Sequence, residues 1–197
     1  MFLENTINHA KQSGWMEVIC GSMFSGKTEE LIRRLRRAEM AGQKVEIFKP
    51  KLDTRYAEED VVSHNQNKIR STPVESSNEI LLLGSTCDVV AIDEAQFFDD
   101  GIVEVANHLA NNGIRVVVAG LDMDFMGRPF GPMPNLMATA EYVTKVHAIC
   151  KRTGNLANYS MRTSESKDLV QLGETENYEA VSRRVFVDEV LEKNQKA

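Results

Sequence analysis

Residues 21–28 read Gly21-Ser22-Met23-Phe24-Ser25-Gly26-Lys27-Thr28, and this stretch decides how the rest of the chain is interpreted. It fits the pattern G-x-x-x-x-G-K-[ST] at every fixed position, which is typical of a loop that binds nucleotide phosphates, a P-loop. Glycines allow backbone angles that turn successive N–H groups inward, and a following helix directs its positive end at the phosphates. We predict that Lys27 contacts the β- and γ-phosphates and that the Thr28 hydroxyl binds Mg²⁺.

The segments on both sides of this loop predict the fold. An apolar run before the loop is typical of a buried strand, and the helix formers after it carry apolar residues at helical spacing. Val- and Ile-rich runs alternate with helical segments along the chain, which predicts an α/β fold of the P-loop NTPase (RecA-like) type, with a mostly parallel sheet flanked by helices. The predicted strands are 15–20, 44–48, 88–93, 115–121 and 142–150, with a candidate strand at 68–74, and the predicted helices are 28–41, 79–83, 102–111, 135–141 and 186–196.

The composition excludes several classes of protein. The 197 residues suit one domain with at most a small appendage, and 42% hydrophobic residues argue against a mainly disordered chain. A net charge of −6 disfavours a non-specific nucleic-acid partner, which would need a basic surplus. No membrane-length apolar run and no signal-peptide pattern occur, and three cysteines without a CxxC pair indicate free thiols. We therefore expect a cytoplasmic protein with no membrane partner.

An acidic pair, Asp93-Glu94, follows the apolar run at 89–92. An acid at the tip of a buried strand is typical of a Walker-B site, in which Asp93 would hold the metal through Thr28 or a water. Its neighbour Glu94 could then face the hydroxyl of a substrate. The alternative interpretation is a pair of solvated acids at the end of a strand.

The absence of a guanine-binding motif and the short chain disfavour several classes of P-loop protein. No N-K-x-D guanine motif occurs, and the chain is short for a motor or a helicase. These observations favour a kinase that acts on a small molecule. Two alternatives stay open: a non-kinase P-loop ATPase, and a catalytically impaired nucleotide sensor.

Five motifs in order resemble those of type II (cellular) thymidine kinases, over about residues 14–186. They are 17–28, 48–50 with 53–56, 90–98, 119–122 with Phe125 and 127–131, and 172–173 with 178–179. The resemblance implies phosphorylation of the 5′-hydroxyl of thymidine by Mg²⁺–ATP, which gives thymidine monophosphate for pyrimidine deoxynucleoside salvage. It also implies a homotetramer that thymidine triphosphate (dTTP) inhibits by feedback at the nucleoside site.

The resemblance assigns roles to particular residues. Glu94 would be the general base, Lys27 would hold the phosphates, and Arg55 would neutralise charge at the transferred phosphate, unless it forms a surface salt bridge. The implied ATP-binding residues are Gly21, Ser22, Met23, Phe24, Ser25, Gly26, Lys27, Thr28, Asp93, Glu94, Ala95 and Gln96. The implied substrate-binding residues are Met23, Glu94, Phe97, Leu121, Phe125, Gly173 and Tyr178. For the apolar members of this set, plain core packing is the alternative.

A small lobe implied by the resemblance departs from the family pattern. In the family, a zinc ion bound by two pairs of ligands holds this lobe together. Here the matching positions are Cys150, Thr153, Ser182 and Val185. Three of them cannot replace zinc thiolates, so we predict no structural zinc. The predicted division of the chain is a flexible arm (1–13), a P-loop kinase domain (14–149), a lid or lasso lobe (150–186) and a tail (187–197).

Four arginines, at 33, 34, 36 and 37, form a basic run on the first predicted helix. A helix distributes such a run around much of its surface. We interpret the four side chains as solvated or as partners in salt bridges between subunits, and not as a nucleic-acid patch.

Overall fold

The computed structural model describes residues 14–51, 60–62, 68–163 and 177–195, so the predicted arm, Arg55 and Gly173 lie outside the described residues. The described strands are β1 (Trp15–Cys20), β2 (Val45–Pro50), β3 (Asp60–Val62), β4 (Lys68–Arg70), β5 (Thr72–Val74), β6 (Val89–Ile92), β7 (Arg115–Gly120), β8 (Tyr142–Lys145), β9 (Ala148–Ile149), β10 (Leu156–Ala157), β11 (Tyr159–Arg162) and β12 (Tyr178–Val181). The described helices are α1 (Lys27–Met40), α2 (Ser77–Gly84), α3 (Ile102–Asn111), α4 (Met133–Thr139) and α5 (Arg183–Gln195). None of the helices within these ranges combines the length and apolar character that crossing a bilayer requires.

Six strands form one central sheet in the order β5-β2-β6-β7-β1-β8, and every neighbouring pair in it is parallel. Strands β1, β6 and β7 are buried almost throughout, as expected for strands that are covered on both faces. Helix α1 packs on one face of the sheet, and helices α2, α3 and α4 pack on the other. The predicted α/β fold, a parallel sheet flanked by helices, is confirmed, and β7 lies between β1, which precedes residues 21–28, and β6, which precedes Asp93.

Several predicted elements have different bounds in the structure: the helix predicted at 186–196 is α5, which begins at Arg183, and the candidate strand at 68–74 is divided into β4 and β5. The helix predicted at 135–141 is α4, which begins at Met133 because a proline in the first helical turn costs no intrahelical hydrogen bond. Its last residue is Thr139, and Glu141 beyond it accepts a hydrogen bond from the backbone N–H of Met16 at 2.7 Å. The strand predicted at 142–150 is divided into β8 and β9, because β8 loses its partner where β1 ends at Cys20.

A smaller unit follows β8, built from two antiparallel strand pairs, β9 with β10 and β11 with β12. A cluster of buried apolar side chains lies between them, and the ring of Tyr159 stacks on that of Phe186 with centroids 4.3 Å apart. At the surface of this lobe the Arg152 guanidinium contacts the carboxylates of Glu179 at 2.6 Å and Glu189 at 2.7 Å. Apolar packing and ion pairs therefore hold its segments together.

The interpretation of the four arginines on α1 as solvated is wrong for Arg34, which is only 3% exposed. The Arg34 guanidinium donates to Glu17 at 2.7 Å and to Glu30 at 2.8 Å. Glu17 is itself 2% exposed, in the middle of β1, and also accepts from Arg115 and from the Trp15 indole, at 2.7 Å each. A buried carboxylate is costly unless charged groups donate hydrogen bonds to it. The ion pair with Glu17 therefore accounts for the burial of Arg34.

Burial alone would raise the pKa of Glu17. The hydrogen bonds and positive charge of Arg115, with contributions from Trp15 and Arg34, outweigh burial and hold that pKa below its usual value. Glu17 is therefore a buried anion whose charge is matched by two arginines from different elements.

We expect Arg34→Met to lower the free energy of unfolding by about 3 kcal/mol, because it leaves part of the Glu17 charge buried without its partner. Arg33→Met is the matched control, since the Arg33 side chain is 54% exposed and its ion pair with Glu30 contributes less than about 1 kcal/mol. Urea denaturation of both variants measures the difference. Equal losses in the two variants would contradict the assigned role of Arg34.

Candidate functional site

The carboxyl ends of β1, β7 and β6 meet at one edge of the sheet, where the candidate site lies. Cys20 at the end of β1 is paired with Gly120, and Ile92 at the end of β6 is paired with Val118. Because parallel strands point the same way, the loops that follow them emerge side by side. The phosphate loop, the Asp93-Glu94 pair and the segment that begins at Leu121 are brought together in this way.

The phosphate loop has the backbone angles that its glycines predict. Gly21 has φ of 147° and Gly26 has φ of 85°, both in the region that favours glycine. A Cβ on Gly21 would lie 2.1 Å from the backbone oxygen of Val146, so this position also needs glycine for space. The loop then enters α1 directly at Lys27, which leaves the N–H groups of the first turn at the site.

Lys27 is held inside this loop. Its Nζ donates to the backbone oxygen of Ser22 at 2.8 Å, and the Ser25 hydroxyl donates to the same oxygen at 2.7 Å. Burial lowers the pKa of Lys27, although the negative charges of Glu94 and Asp93 oppose this. The negative charges of both carboxylates of the acidic pair therefore act on this ammonium.

Asp93 is 6% exposed, and its Oδ1 accepts the backbone N–H of Glu94 at 2.9 Å. Burial and the neighbouring Glu94 charge raise the pKa of Asp93 to about 7, despite that hydrogen bond and the charge of Lys27. A cation beside Asp93 would favour its charged form and so oppose this rise. In the described ranges, no three His, Cys, Asp or Glu residues gather as a metal cage. Asp93 and Thr28 fit Mg²⁺ instead, which uses few protein ligands and completes its shell with phosphates and water.

Glu94 has φ of 52° and ψ of 39°, a left-handed conformation that is uncommon for a residue with a side chain. Its carboxylate accepts a hydrogen bond of 2.5 Å from Nε2 of Gln96. Oε1 of the same amide accepts the backbone N–H of Leu121 at 2.9 Å. Gln96 is 3% exposed, and both ends of its amide are satisfied in one orientation, so it fixes Glu94 to the start of the segment that follows β7.

The resemblance implies that Gln96 binds ATP, and this stays a prediction. In the structure its amide joins Glu94 to Leu121, which the sequence did not predict. Two other contacts were not foreseen. The backbone N–H of Met23 donates to Oγ of Ser160 at 2.9 Å, and the Ser22 hydroxyl donates to the backbone oxygen of Ala157 at 3.2 Å. They connect the phosphate loop to the small lobe, and no residue pattern at 157–160 signals them.

The described members of the predicted substrate-binding set lie around this edge and are all partly exposed, unlike the core side chains. Phe97 follows Gln96 and meets Phe130 edge to face, with centroids 5.5 Å apart. Phe125 and Tyr178 both contact the guanidinium of Arg162, on β11. The set is Met23, Glu94, Phe97, Leu121, Phe125 and Tyr178. Partial exposure favours a lining role for its apolar members over plain core packing.

The four positions of the family's zinc ligands also meet in the structure. Burial would raise the pKa of Cys150, but the Thr153 side chain and backbone N–H groups of Arg152, Thr153 and Ser182 lower it to about 7. The hydroxyls of Thr153 and Ser182 lie 3.4 Å apart, and Val185 packs against the apolar cluster of the lobe. One thiol, two hydroxyls and a valine do not fit zinc.

Comparisons with known proteins identify the family of the chain. The thymidine kinase family model matches residues 14–186. The chain belongs to the thymidine kinase family. The thymidine kinase of Bacteroides thetaiotaomicron is 60% identical over 187 residues, which cover 95% of this chain and 94% of that protein. That of Bacteroides fragilis is 58% identical over 197 residues, with coverage of 100% and 99%.

A thymidine kinase from a Rhodothermus species is 60% identical over 180 residues, which cover 91% of this chain and 84% of that protein. Among solved structures, the genome-packaging NTPase B204 of Sulfolobus turreted icosahedral virus 2, in complex with sulfate, aligns with 72% of this chain and 78% of that chain. The TM-score is 0.47 at 13% identity, and the family assignment does not depend on it. The resemblance inferred from five motifs is confirmed, and the chain is an enzyme of this family.

We expect Gln96→Leu to lower kcat for phosphate transfer to thymidine by about 100-fold, because Glu94 loses the group that orients it. The KM for ATP should change much less, since the phosphate loop keeps its own contacts. Steady-state kinetics with ATP and thymidine measure both constants. Gln43→Leu on the exposed turn after α1 is the control. A kcat equal to that of the parent enzyme would remove Gln96 from this role.

Proposed function

We propose that this chain transfers the γ-phosphoryl group of Mg²⁺–ATP to the 5′-hydroxyl of thymidine, giving thymidine monophosphate for pyrimidine deoxynucleoside salvage. One observation carries the proposal: Glu94 stands at the sheet edge beside Asp93, and Gln96 holds its carboxylate to the backbone of Leu121. The carboxylate is thus fixed between the phosphate loop and the segment that resembles the family's substrate loop. The named relatives supply the identity of the substrate.

In this mechanism the chain chiefly positions two substrates and stabilises charge. Backbone N–H groups of residues 21–28 and the Lys27 ammonium bind the phosphates. Glu94 accepts the proton of the 5′-hydroxyl as that oxygen attacks the γ-phosphorus and the bond to the β-phosphate oxygen breaks. Arg55, which lies outside the described residues, is proposed to neutralise charge on the phosphoryl group in transit.

Asp93 and the Thr28 hydroxyl are the proposed protein ligands of Mg²⁺. When bound, Mg²⁺ would neutralise negative charge on the phosphates. Burial and the neighbouring Glu94 charge raise the pKa of Asp93, and a bound cation would oppose this by stabilising the charged carboxylate. Thr28 is the second residue of α1, which brings its hydroxyl to the same end of the helix as the N–H groups.

The nucleoside is proposed to bind among the partly exposed apolar side chains at this edge. Met23, Phe97, Leu121 and Phe125 would line the base, and Tyr178 would cover it. Gly173, outside the described residues, is proposed to contribute through its main chain. Close apolar packing would favour a sugar that has no 2′-hydroxyl, because a buried hydroxyl without a partner is costly.

Several wider properties are proposed by resemblance. We propose a P-loop kinase domain at 14–149 and a lid lobe at 150–186, between an arm at 1–13 and a tail at 187–197. We also propose a homotetramer in the cytoplasm, with feedback inhibition by dTTP at the nucleoside site.

The decisive experiment offers the purified protein ATP, Mg²⁺ and each of the four common deoxynucleosides. Monophosphate formed from thymidine, and not from the purine deoxynucleosides, supports the proposal. ATP hydrolysis that needs no acceptor would support the alternative of a non-kinase ATPase. ATP binding without turnover would support the alternative of a nucleotide sensor.

We expect Glu94→Gln to lower kcat by about 100- to 10,000-fold, because the amide cannot accept the proton of the 5′-hydroxyl. ATP should still bind with parental affinity, as measured by calorimetry, since the phosphate loop is unchanged. Glu104→Gln, on an exposed position of α3, is the matched control. Near-normal turnover in Glu94→Gln would exclude Glu94 as the base.

We propose that the small lobe folds without zinc. Its segments are joined instead by the Tyr159–Phe186 stack and by the ion pairs of Arg152. Elemental analysis of the untagged protein should find no stoichiometric zinc, and a chelator should leave both the melting temperature and the activity unchanged. One zinc per chain would contradict this proposal.

A further inference from the structure

Arg162 is a buried cation in the wall of the candidate nucleoside site. It lies at the end of β11 and is only 5% exposed. Its Nη2 and Nε donate to the hydroxyl oxygen of Tyr178 at 2.6 Å and 3.2 Å. Its Cζ lies 4.0 Å from the ring centroid of Phe125 and 5.3 Å from that of Tyr178. One guanidinium therefore contacts both aromatic side chains.

These contacts join three segments that are distant in sequence. Phe125 belongs to the segment after β7, Tyr178 begins β12, and Arg162 is paired with Tyr178 in the β11–β12 register. Two directed hydrogen bonds fix where the Tyr178 hydroxyl can lie, and the stacking contact restricts the plane of the Phe125 ring. Aromatic rings on partly exposed positions would otherwise rotate among several rotamers.

We propose that Arg162 is a positioning residue for the nucleoside site, which holds the rings of Phe125 and Tyr178 ready to enclose the base. The inference rests on the proposed function, because it takes these two rings as nucleoside contacts. Arg162 acts through the rings. It lowers the cost of binding by ordering them before the nucleoside arrives.

The planar guanidinium suits this task in a way that lysine does not. It lies flat on an aromatic face and at the same time donates from two nitrogens of its fork. An ammonium in the same place could donate to the Tyr178 hydroxyl or approach the Phe125 ring, but it could not cover both with fixed geometry. We therefore expect Arg162→Lys to be intermediate between the parent enzyme and Arg162→Met.

The first test measures nucleoside affinity. Arg162→Met should raise the KM for thymidine by about 10- to 100-fold, with a much smaller change in the KM for ATP and in kcat. Adding Tyr178→Phe to Arg162→Met should cause little further loss, because the hydroxyl has already lost its donor. Independent, multiplying effects of the two substitutions would overturn the proposal, as would an unchanged thymidine KM in Arg162→Met.

Arg183→Met is the matched control. The Cζ of Arg183 lies 5.2 Å from the ring centroid of Tyr159, in the same lobe, and Arg183 is exposed. This variant removes an arginine from an aromatic ring without touching Phe125 or Tyr178. Its thymidine KM should equal that of the parent. A rise as large as in Arg162→Met would show a general effect on the lobe and contradict the proposal.

The second test does not need turnover. The chain has four tyrosines, so fluorotyrosine labelling gives a simple fluorine NMR spectrum in which Tyr178→Phe identifies the Tyr178 signal. In the ligand-free protein, Arg162→Met should shift or broaden that signal, whereas Arg183→Met should affect the Tyr159 signal instead. An unmoved Tyr178 signal in Arg162→Met would exclude the ordering of the rings by Arg162 even if thymidine is phosphorylated. A parent enzyme that phosphorylates no deoxynucleoside, while the signals respond as expected, would overturn the proposed function and the nucleoside role of Arg162, leaving only the ordering of the rings.

Discussion

The parallel pairing of β1, β7 and β6 is the constraint on which the site depends. Three strands that are buried on both faces can exchange hydrogen bonds only in a fixed register, and this register ends them at the same edge. The phosphate loop, Glu94 and Leu121 are neighbours because of this register, although they are distant in the sequence. Burial of Val and Ile side chains on both faces supplies much of the free energy that maintains this register.

Side-chain hydrogen bonds fix the relative positions of the loops that meet at this edge of the sheet. The Gln96 amide spans Glu94 and Leu121, and the Ser160 hydroxyl reaches the backbone of Met23. Each of these contacts connects an element with a proposed catalytic or phosphate-binding role to a part of the chain that is proposed to surround the nucleoside. The elements proposed to bind ATP and those proposed to bind the nucleoside therefore share hydrogen bonds.

The sequence predicted the elements and the phosphate loop because their signals are local: apolar runs, helical spacing and a motif of fixed spacing. It did not predict the burial of Arg34, because that burial depends on Glu17 in the neighbouring strand β1. The run of arginines alone does not show which of its members has a buried carboxylate as a partner. The role of Gln96 and the position of Arg162 depend on contacts between distant segments. The start of α4 was predicted two residues too late, because a proline is common both in loops and in the first turn of a helix.

The Arg152 ion pairs have a consequence for how the small lobe responds to its surroundings. The Arg152 side chain is 41% exposed, so the attraction to Glu179 and Glu189 is screened by dissolved salt. The Glu17–Arg34 pair inside the main domain is shielded from the same ions. Added salt therefore weakens the ion pairs at the surface of the lobe and hardly affects the Glu17–Arg34 pair. The Tyr159–Phe186 stack and the apolar cluster of the lobe carry no charge, so they keep their contribution over the same range of salt.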